Sequence, residues 1–427
     1  MGTLKKLYFI LVITILVNFC SFSYADALFN NKPDISGEGA ILIEEETGQV
    51  LYEKNPNKQL YPASTTKIMT GILAIELGDL NDTVTITDEI IEGIDGTHIA
   101  LDPGEELTLN DLINALLIGS ANDAAVAIAI HISGSVEKFV NLMNEKAKEV
   151  GALDTHFVNP NGLPDENHVS TAHDLATIAR YAMKNSTFRE IVKNYHYTIP
   201  NTNKKEESRN LWSSNRLLYS TRKIDLNGEI IPIKYDGVDG IKSGYTNAAR
   251  QCLITSASRG KTRLISVVLK SEGKNIYTDT HKLLNYGFDN FEKTSLLTKN
   301  EFIDNVNIKK GTSNSIACVS EKNFNACLPK NYKNKIKKKI SLPSSLEAPI
   351  SKGQTIGKIE YFLDGDSLGY VNIISNKSID KIPFYKSIVK NYLNGKWWLS
   401  LIVLFVLWRI IIHIKRAARK KKRSSFI

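Results

Sequence analysis

Two apolar segments, one at each end of the 427-residue chain, limit the part that can form a water-soluble core. The first covers residues 7–19, follows Lys5 and Lys6, and precedes the small residues Ala25 and Ala27. A basic start, a short apolar run and small residues are the three parts of a secretory signal peptide. Because the run of 13 residues is short for a bilayer span, we predict a cleaved signal peptide at residues 1–27. An uncleaved anchor is the alternative.

The second apolar segment covers residues 397–414 and is interrupted chiefly by Arg409. Eighteen helical residues rise about 27 Å, close to the roughly 30 Å of a bilayer core. By the positive-inside rule, the basic tail at 415–427 should remain cytoplasmic. We therefore predict one transmembrane helix at 397–414, a stalk at 385–396, and a body on the extracytoplasmic side of the cell membrane. A helix lying on the membrane surface is the alternative.

The net charge of +9 belongs to the two ends of the chain. Between residues 28 and 396, 44 Lys and Arg residues balance 44 Asp and Glu residues. Because the body is neutral overall, it has no excess of basic charge to attract a nucleic acid. The charge distribution therefore indicates the cell membrane as a partner and excludes nucleic acid.

The order of the secondary-structure patterns in the body predicts an α+β fold. Strand patterns at residues 38–53 and 239–270 enclose several helical patterns, two of which have capping boxes at Thr108 and Thr171. Strands that flank a run of helices suggest an antiparallel sheet with a helical cluster. Further on, short apolar runs separated by Lys, Asn, Ser and Gly predict a small all-β domain. The predicted domains are the α+β domain at 28–298 and the all-β domain at 299–384.

The motif Ser64-Thr-Thr-Lys67 places a hydroxyl and an amine three residues apart at the predicted start of a helix. Side chains at this spacing share one face of the helix. A serine hydroxyl is a weak nucleophile, and a neutral lysine within hydrogen-bond reach can accept its proton. On its own the motif is weak, since a capped helix with a solvated lysine has the same pattern.

Two further motifs have polar groups suited to a cleft. Ser120-Ala-Asn122 lies between two apolar helical patterns, where a tight turn can direct a hydroxyl and an amide to one side. Lys242-Ser243-Gly244 lies on a strand pattern, where a lysine and a hydroxyl can bind a carboxylate and the glycine permits close approach of a ligand. A helix N-cap and an exposed strand lysine are the simpler alternatives.

Together the three motifs, in this order, resemble those of penicillin-binding proteins and class A β-lactamases. Longer segments narrow the resemblance to the serine D-alanyl-D-alanine carboxypeptidases, which are low-molecular-weight penicillin-binding proteins of peptidase family S11. The resemblance covers about residues 38–291 and, more loosely, extends to about residue 375, and it implies a penicillin-binding-protein/β-lactamase-like domain. The segments that carry it are YPASTTKIMT, LIGSANDAA, NPNGL, STAHDLATIAR and DGIKSGYTNA, which start at Tyr61, Leu117, Asn159, Ser170 and Asp239.

The resemblance implies three catalytic residues. Ser64 would be the acylated nucleophile, Lys67 its general base, and Ser120 the relay that passes a proton to the leaving amine. The reaction implied is removal of the terminal D-alanine from the stem pentapeptide of peptidoglycan. β-Lactam antibiotics, which mimic the D-alanyl-D-alanine end, would acylate Ser64.

The resemblance also implies five substrate-binding residues. Asn122 would hold a peptide amide of the substrate, while Lys242 and Ser243 would bind its terminal carboxylate beside Gly244. The backbone N–H of Tyr245 would complete an oxyanion hole with that of the nucleophile. No cofactor is predicted, and the His residues form no metal-binding spacing, so no metal is predicted either.

The sequence departs from the family pattern at several positions. Ser243 replaces the commoner Thr but keeps a hydroxyl, and Arg250 stands where relatives often have Gly. Many relatives have an Arg at the position that Ile276 occupies, so a second cation for the substrate carboxylate is missing there. Arg250 and Lys274 are candidate substitutes.

Two other functions remain open at this point. A β-lactamase needs a carboxylate that activates water, which class A enzymes place in a Glu-x-x-x-Asn string. Glu166 is the nearest candidate, but position 170 is Ser instead of Asn. A penicillin sensor would need a signalling module, and only a short tail follows the membrane segment. The sequence also leaves open whether Cys318 and Cys327 form a disulfide or stay as free thiols.

Overall fold

The computed structural model describes residues 32–423, except residues 331, 333–334, 384 and 387–396. The predicted signal peptide at 1–27 and most of the predicted stalk at 385–396 lie outside the described residues. The described residues form two compact units that divide after Thr294, and residues 327–331 also belong to the first unit.

A five-stranded antiparallel sheet is the centre of the first unit, with the strand order β2-β1-β11-β10-β9. Every residue of β1 is buried. Ile41 and Ile43 belong to one apolar cluster and Ala40 and Leu42 to another, so each face of the sheet is covered by its own buried layer. The strands are β1 (Gly39–Glu44), β2 (Val50–Lys54), β9 (Val238–Thr246), β10 (Arg250–Arg259) and β11 (Thr262–Ser271).

Helices form both of these layers. The first seven share the apolar cluster of Ile41 and Ile43, whereas the last packs on the opposite face through Leu283 and Leu284. The helices are α1 (Lys67–Leu77), α2 (Asp88–Ile91), α3 (Leu109–Asn114), α4 (Asn122–Ser133), α5 (Val136–Val150), α6 (Ala172–Ala182), α7 (Ser186–Lys193) and α8 (Asn275–Asn290). The α+β prediction is thus confirmed.

The predicted capping boxes are confirmed at the starts of α3 and α6. The side chain of Thr108 accepts a hydrogen bond from the backbone N–H of Asp111, and Thr171 accepts one from Asp174. Each bond satisfies an N–H that the first turn of a helix leaves unpaired. Asp174 also accepts hydrogen bonds from the backbone N–H of Asp154 and from Thr155, so it has a structural role.

Three two-stranded antiparallel sheets in the first unit are absent from the sequence prediction. Each strand has only three or four residues, too few for a clear alternation of apolar and polar side chains. The paired strands are β3 (Thr83–Thr85) with β4 (Glu106–Thr108), β5 (His196–Ile199) with β6 (Arg209–Trp212), and β7 (Lys223–Leu226) with β8 (Glu229–Pro232).

The second unit contains a six-stranded sheet in the order β16-β18-β19-β14-β13-β17. Neighbouring strands are antiparallel except β13 and β17, which are parallel. The predicted all-β region is confirmed. Its strands, with the two that lie at the boundary of the units, are β12 (Phe291–Leu297), β13 (Phe302–Lys309), β14 (Ser315–Ser320), β15 (Phe324–Pro329), β16 (Ile336–Ser341), β17 (Ser345–Glu347), β18 (Thr355–Leu363) and β19 (Asp366–Ser375).

A long helix, α9 (Trp397–Arg423), follows the six-stranded sheet in the sequence. Among the described residues it is the one continuous helix that is long and apolar enough to cross a membrane, over Trp397–Arg419. The helix continues beyond residue 414, where we predicted the span to end, because the following Lys, Arg and Ala residues are good helix formers. It is a candidate membrane anchor.

Candidate active site

Ser64 lies where a short 3₁₀ turn, Ala63–Thr66, runs directly into α1. Ala63 has a φ of 50°, in the left-handed region that residues other than glycine seldom adopt. The backbone at Gly162 and at Gly244 packs closely against this turn. The turn leaves Ser64 half-buried at the wall of a cleft.

Lys67 is fully buried beside Ser64, with 0% of its surface exposed. Its Nζ donates hydrogen bonds to Ser64 Oγ at 3.0 Å, to Asn122 Oδ1 at 2.6 Å and to the backbone carbonyl of Asn161 at 2.6 Å. All three acceptors are uncharged. The arrangement fixes the amine in hydrogen-bond reach of the hydroxyl without a carboxylate as its direct partner.

The electrostatic surroundings of Lys67 favour its neutral form. Burial is the main cause that holds the pKa of Lys67 well below its usual value, and the positive charge of Lys242 acts in the same direction. The negative charge of Asp123 acts in the opposite direction. A neutral amine at this position can accept the proton of Ser64.

Ser120 lies in an irregular turn between α3 and α4, and Asn122 is the first residue of α4. A π-helical turn, Ala115–Gly119, ends at Ser120, which has a φ of 64° and lines the cleft. Asn122 is 4% exposed, and while its Oδ1 accepts from Lys67, its Nδ2 donates to the carbonyl of Asp95 at 2.5 Å. Asn122 therefore orients Lys67 in this structure. The contact with a substrate amide stays a prediction.

Lys242 lies on β9 and is 1% exposed. Its Nζ donates to Ser214 Oγ and to the carbonyl of Ser243, both at 2.9 Å. Burial lowers the pKa of Lys242 to about 7. Ser214 and Ser243 both line the cleft. The amine of Lys242 therefore lies just behind the cleft wall, hydrogen-bonded to two residues that form it.

Gly244 brings β9 against the backbone of the nucleophile. A Cβ at Gly244 would lie 2.7 Å from the N atom of Ser64, closer than side-chain carbons normally approach. Gly162, with a φ of +86°, approaches from another side, where a Cβ would lie 2.0 Å from the carbonyl oxygen of Ala63. Tyr245 is the next residue of β9. An oxyanion hole needs a second backbone N–H beside that of Ser64, and Tyr245 is the predicted donor.

The cleft is a cavity of about 610 Å³ in the first unit. It brings together Ser64, Ser120, Ser243, Gly244 and Tyr245 from the predicted site, whereas Lys67, Asn122 and Lys242 lie behind its wall. The motifs thus converge from three distant parts of the sequence.

Arg216 is a cleft residue that the sequence analysis missed. It is exposed and lies in a 3₁₀ turn, Arg216–Leu218, whose preceding residue Asn215 donates to the carbonyl of Gly240 on β9 at 2.9 Å. No motif marks this position, since it depends on the fold of the chain before β9. Lys274 and Ile276, which is 2% exposed, both line the cleft, whereas Arg250 is not among the lining residues.

Within the described part of the chain, no group of three or more His, Cys, Asp or Glu side chains could hold a metal ion. Cys318 and Cys327 are free thiols that belong to different apolar clusters. The structure therefore does not form the disulfide that the sequence left open.

Comparisons with known proteins show which family the chain belongs to. Residues 26–273 match the model of the family described as D-alanyl-D-alanine carboxypeptidase, and residues 291–381 match that of the penicillin-binding protein 5 C-terminal domain. D-alanyl-D-alanine carboxypeptidase DacF of Bacillus subtilis is 36% identical over 392 residues, which cover 89% of this chain and 96% of the relative. DacA of Haemophilus influenzae is 32% identical over 366 residues, 83% of this chain and 88% of the relative.

A solved structure gives the same result for the fold. Penicillin-binding protein 5 from Haemophilus influenzae aligns with a TM-score of 0.72 and 29% identity, covering 83% of this chain and 100% of that one. The fold and the site therefore define a penicillin-binding serine hydrolase. The chain belongs to the D-alanyl-D-alanine carboxypeptidase family of serine peptidases, and its function is that of a D-alanyl-D-alanine carboxypeptidase. Nothing in these matches favours a β-lactamase.

Proposed function

We propose that the chain removes the terminal D-alanine from peptidoglycan stem pentapeptides through an acyl-enzyme on Ser64. The observation that carries this proposal is the 3.0 Å contact between Lys67 Nζ and Ser64 Oγ, made by a fully buried lysine with a lowered pKa. A neutral lysine within this distance is the base that a serine nucleophile requires.

In the acylation step, Lys67 takes the proton of Ser64 as Oγ attacks the carbonyl carbon of the penultimate D-alanine. The backbone N–H groups of Ser64 and Tyr245 stabilise the oxyanion. The C–N bond then breaks, and Ser120 relays a proton from Lys67 to the leaving amine. Water adds to the resulting ester, which releases the shortened peptide and restores the hydroxyl of Ser64.

The substrate carboxylate binds at the edge of β9, next to the oxyanion hole. Ser243 supplies a hydroxyl, and the buried Lys242 supplies a positive charge. Binding of the anionic substrate favours the charged form of this lysine. Arg216 supplies the second cation, since it is an exposed guanidinium on the cleft wall and Ile276 cannot supply one. A carboxylate held by two cations aligns the scissile bond with Ser64.

The catalytic body works outside the cytoplasmic membrane. A signal peptide at residues 1–27 directs export, and a span at 397–414 anchors the chain with the basic tail at 415–427 inside the cell. Protease added to intact cells should digest the body and spare the tail; the opposite result would reverse the orientation.

Turnover of diacetylated Lys-D-Ala-D-Ala, combined with labelling by a fluorescent penicillin, tests the proposed reaction. The expected result is release of free D-alanine together with stable labelling of Ser64. Labelling without D-alanine release would favour a sensor. Rapid hydrolysis of the penicillin would favour a β-lactamase.

A further inference from the structure

Three aromatic side chains form an exposed surface beside the cleft, and we call Tyr195, Trp212 and Tyr219 the aromatic platform. Their ring centroids lie 6.0 Å apart between Tyr195 and Trp212, 5.7 Å between Tyr195 and Tyr219, and 6.1 Å between Trp212 and Tyr219. Tyr195 is 50% exposed and Trp212 is 55% exposed. Trp212 and Tyr219 also line the cleft, so the platform is continuous with the wall that contains Ser64.

Two of the three platform rings, those of Trp212 and Tyr219, are held in place by neighbouring groups. Trp212 ends β6, where it pairs with His196 of β5, and the two rings lie 4.6 Å apart. The hydroxyl of Tyr219 donates to the carbonyl of Ser213 at 3.0 Å. Exposed aromatic groups gain little from folding, and a fixed apolar surface at the mouth of a cleft is typical of a ligand-binding site. Fixed rings also lose little freedom when a ligand binds.

A second cavity, of about 410 Å³, is connected to the platform through the chain, although none of the three platform rings lines it. Asn194 lines this cavity and is bonded directly to Tyr195 in the chain. Asn110, Asn114 and Tyr197 also line it, so most of its polar groups are neutral amides and hydroxyls. Its size is within the range of small-molecule sites, and its groups both donate and accept hydrogen bonds. We call it the amide pocket.

We propose that the aromatic platform and the amide pocket bind the amino-sugar glycan to which the stem peptide is attached. The proposal rests on the proposed function. If the end of the stem peptide lies at Ser64, the rest of the substrate must extend out of the cleft along one of its walls. Sugar rings present C–H faces that stack on aromatic rings, as the platform offers. Their hydroxyl and acetamido groups need neutral donors and acceptors, as the amide pocket offers.

A comparison of two substrates tests the proposal: a pentapeptide attached to the amino-sugar disaccharide, and the same pentapeptide alone. The wild-type chain should have a kcat/KM about threefold to tenfold higher for the disaccharide substrate, the scale of one aromatic stacking contact. Tyr195→Ala should reduce this ratio towards one, and Tyr195→Phe should restore it, since only the ring is needed. An unchanged ratio in Tyr195→Ala, or a wild-type ratio of one, would overturn the proposal.

The matched control is Tyr370→Ala. Tyr370 is a 56% exposed tyrosine on β19 of the second unit, and its removal should leave the substrate ratio unchanged. A fall in the ratio equal to that of Tyr195→Ala would show a non-specific effect and overturn the assignment to the platform.

Fluorescence gives a readout that does not depend on turnover. The sequence has four tryptophans, and three of them, Trp397, Trp398 and Trp408, lie in α9. The full-length chain with these three changed to Phe keeps Trp212 as its single tryptophan. The peptide-free disaccharide should change its emission saturably, and no change would overturn the proposal. Failure to hydrolyse the free pentapeptide would instead contradict the proposed function alone.

Discussion

The amine of Lys67 lies 3.0 Å from the hydroxyl of Ser64 and is also bonded to the carbonyl oxygens of Asn122 and Asn161. None of these oxygens carries a charge, and the lysine is fully buried. A charged amine in these surroundings lacks the compensation that a carboxylate would give, which explains why the pKa of Lys67 is lowered. The lysine is therefore suited to accept a proton rather than to form an ion pair.

Lys67→Arg should abolish the function of the base while keeping a cation. Arginine remains protonated at any pH at which the protein is folded. We expect the rate of penicillin acylation to fall about 10³-fold or more, the upper part of the range for loss of a general base. The measurement is the second-order labelling rate with a fluorescent penicillin. Lys58→Arg, at a lysine whose side chain is 53% exposed, is the control and should label normally; comparable rates for the two variants would contradict the assignment.

The two buried lysines should give opposite limbs of the pH profile of kcat/KM. In the proposed mechanism Lys67 acts when neutral, so kcat/KM should fall as pH decreases and the amine becomes protonated. Lys242 would bind the carboxylate when charged, so its pKa of about 7 should make kcat/KM fall as pH rises above that value. Lys242→Arg should move the alkaline limb upward by at least about one pH unit, because the guanidinium stays charged. An alkaline limb at the same pH would show that another group titrates.

Gly244→Ala should inactivate the site through contact with the nucleophile. The added Cβ would lie 2.7 Å from the N atom of Ser64 and 3.0 Å from the Cβ of Ala63, so either β9 or the turn must shift. A displacement of about 1 Å can cost roughly 10²-fold in rate. Steady-state turnover of the tripeptide measures the loss. Gly260→Ala, at a hairpin position with no atom within 4 Å, should stay active even if it is less stable.

Arg216→Ala should weaken recognition of the substrate carboxylate. We expect kcat/KM to fall about tenfold to a hundredfold, the scale of a lost charge-assisted hydrogen bond. An amidated substrate should lose most of its rate with the wild-type enzyme but much less, relative to the free acid, with Arg216→Ala or Lys242→Ala. If the free-energy losses from the mutation and from amidation simply add, the mutated residue does not bind the carboxylate.

The parts of the site that could be predicted from the sequence are those marked by short, local patterns. The serine and lysine of the first motif share a helix face, and the Lys242 motif lies on a strand that its apolar pattern indicates. Arg216 could not be found in this way, because its position depends on the bond from Asn215 to Gly240. The hydrogen bond between Asn215 and Gly240 joins two segments that are distant in sequence, so it exists only in the folded protein.

The same limit applies to Asn122. Its spacing from Ser120 indicated a polar group directed into the cleft, but in the structure its amide bridges Lys67 and the carbonyl of Asp95. The loop that provides Asp95 has no regular pattern in the sequence. The exposed Trp212 was overlooked for a related reason, since strands of four residues such as β6 are too short to be recognised by alternation.

Ser64→Ala, assayed for D-alanine release and for covalent penicillin labelling in the same preparation, tests the central claim most directly. Both reactions require the same oxygen, so both should be lost together while the thermal unfolding transition remains, since removal of a half-buried hydroxyl leaves the core intact. Peptide mapping of the labelled wild-type chain should place the adduct on Ser64. Labelling that persists in Ser64→Ala and maps to another serine would contradict the account.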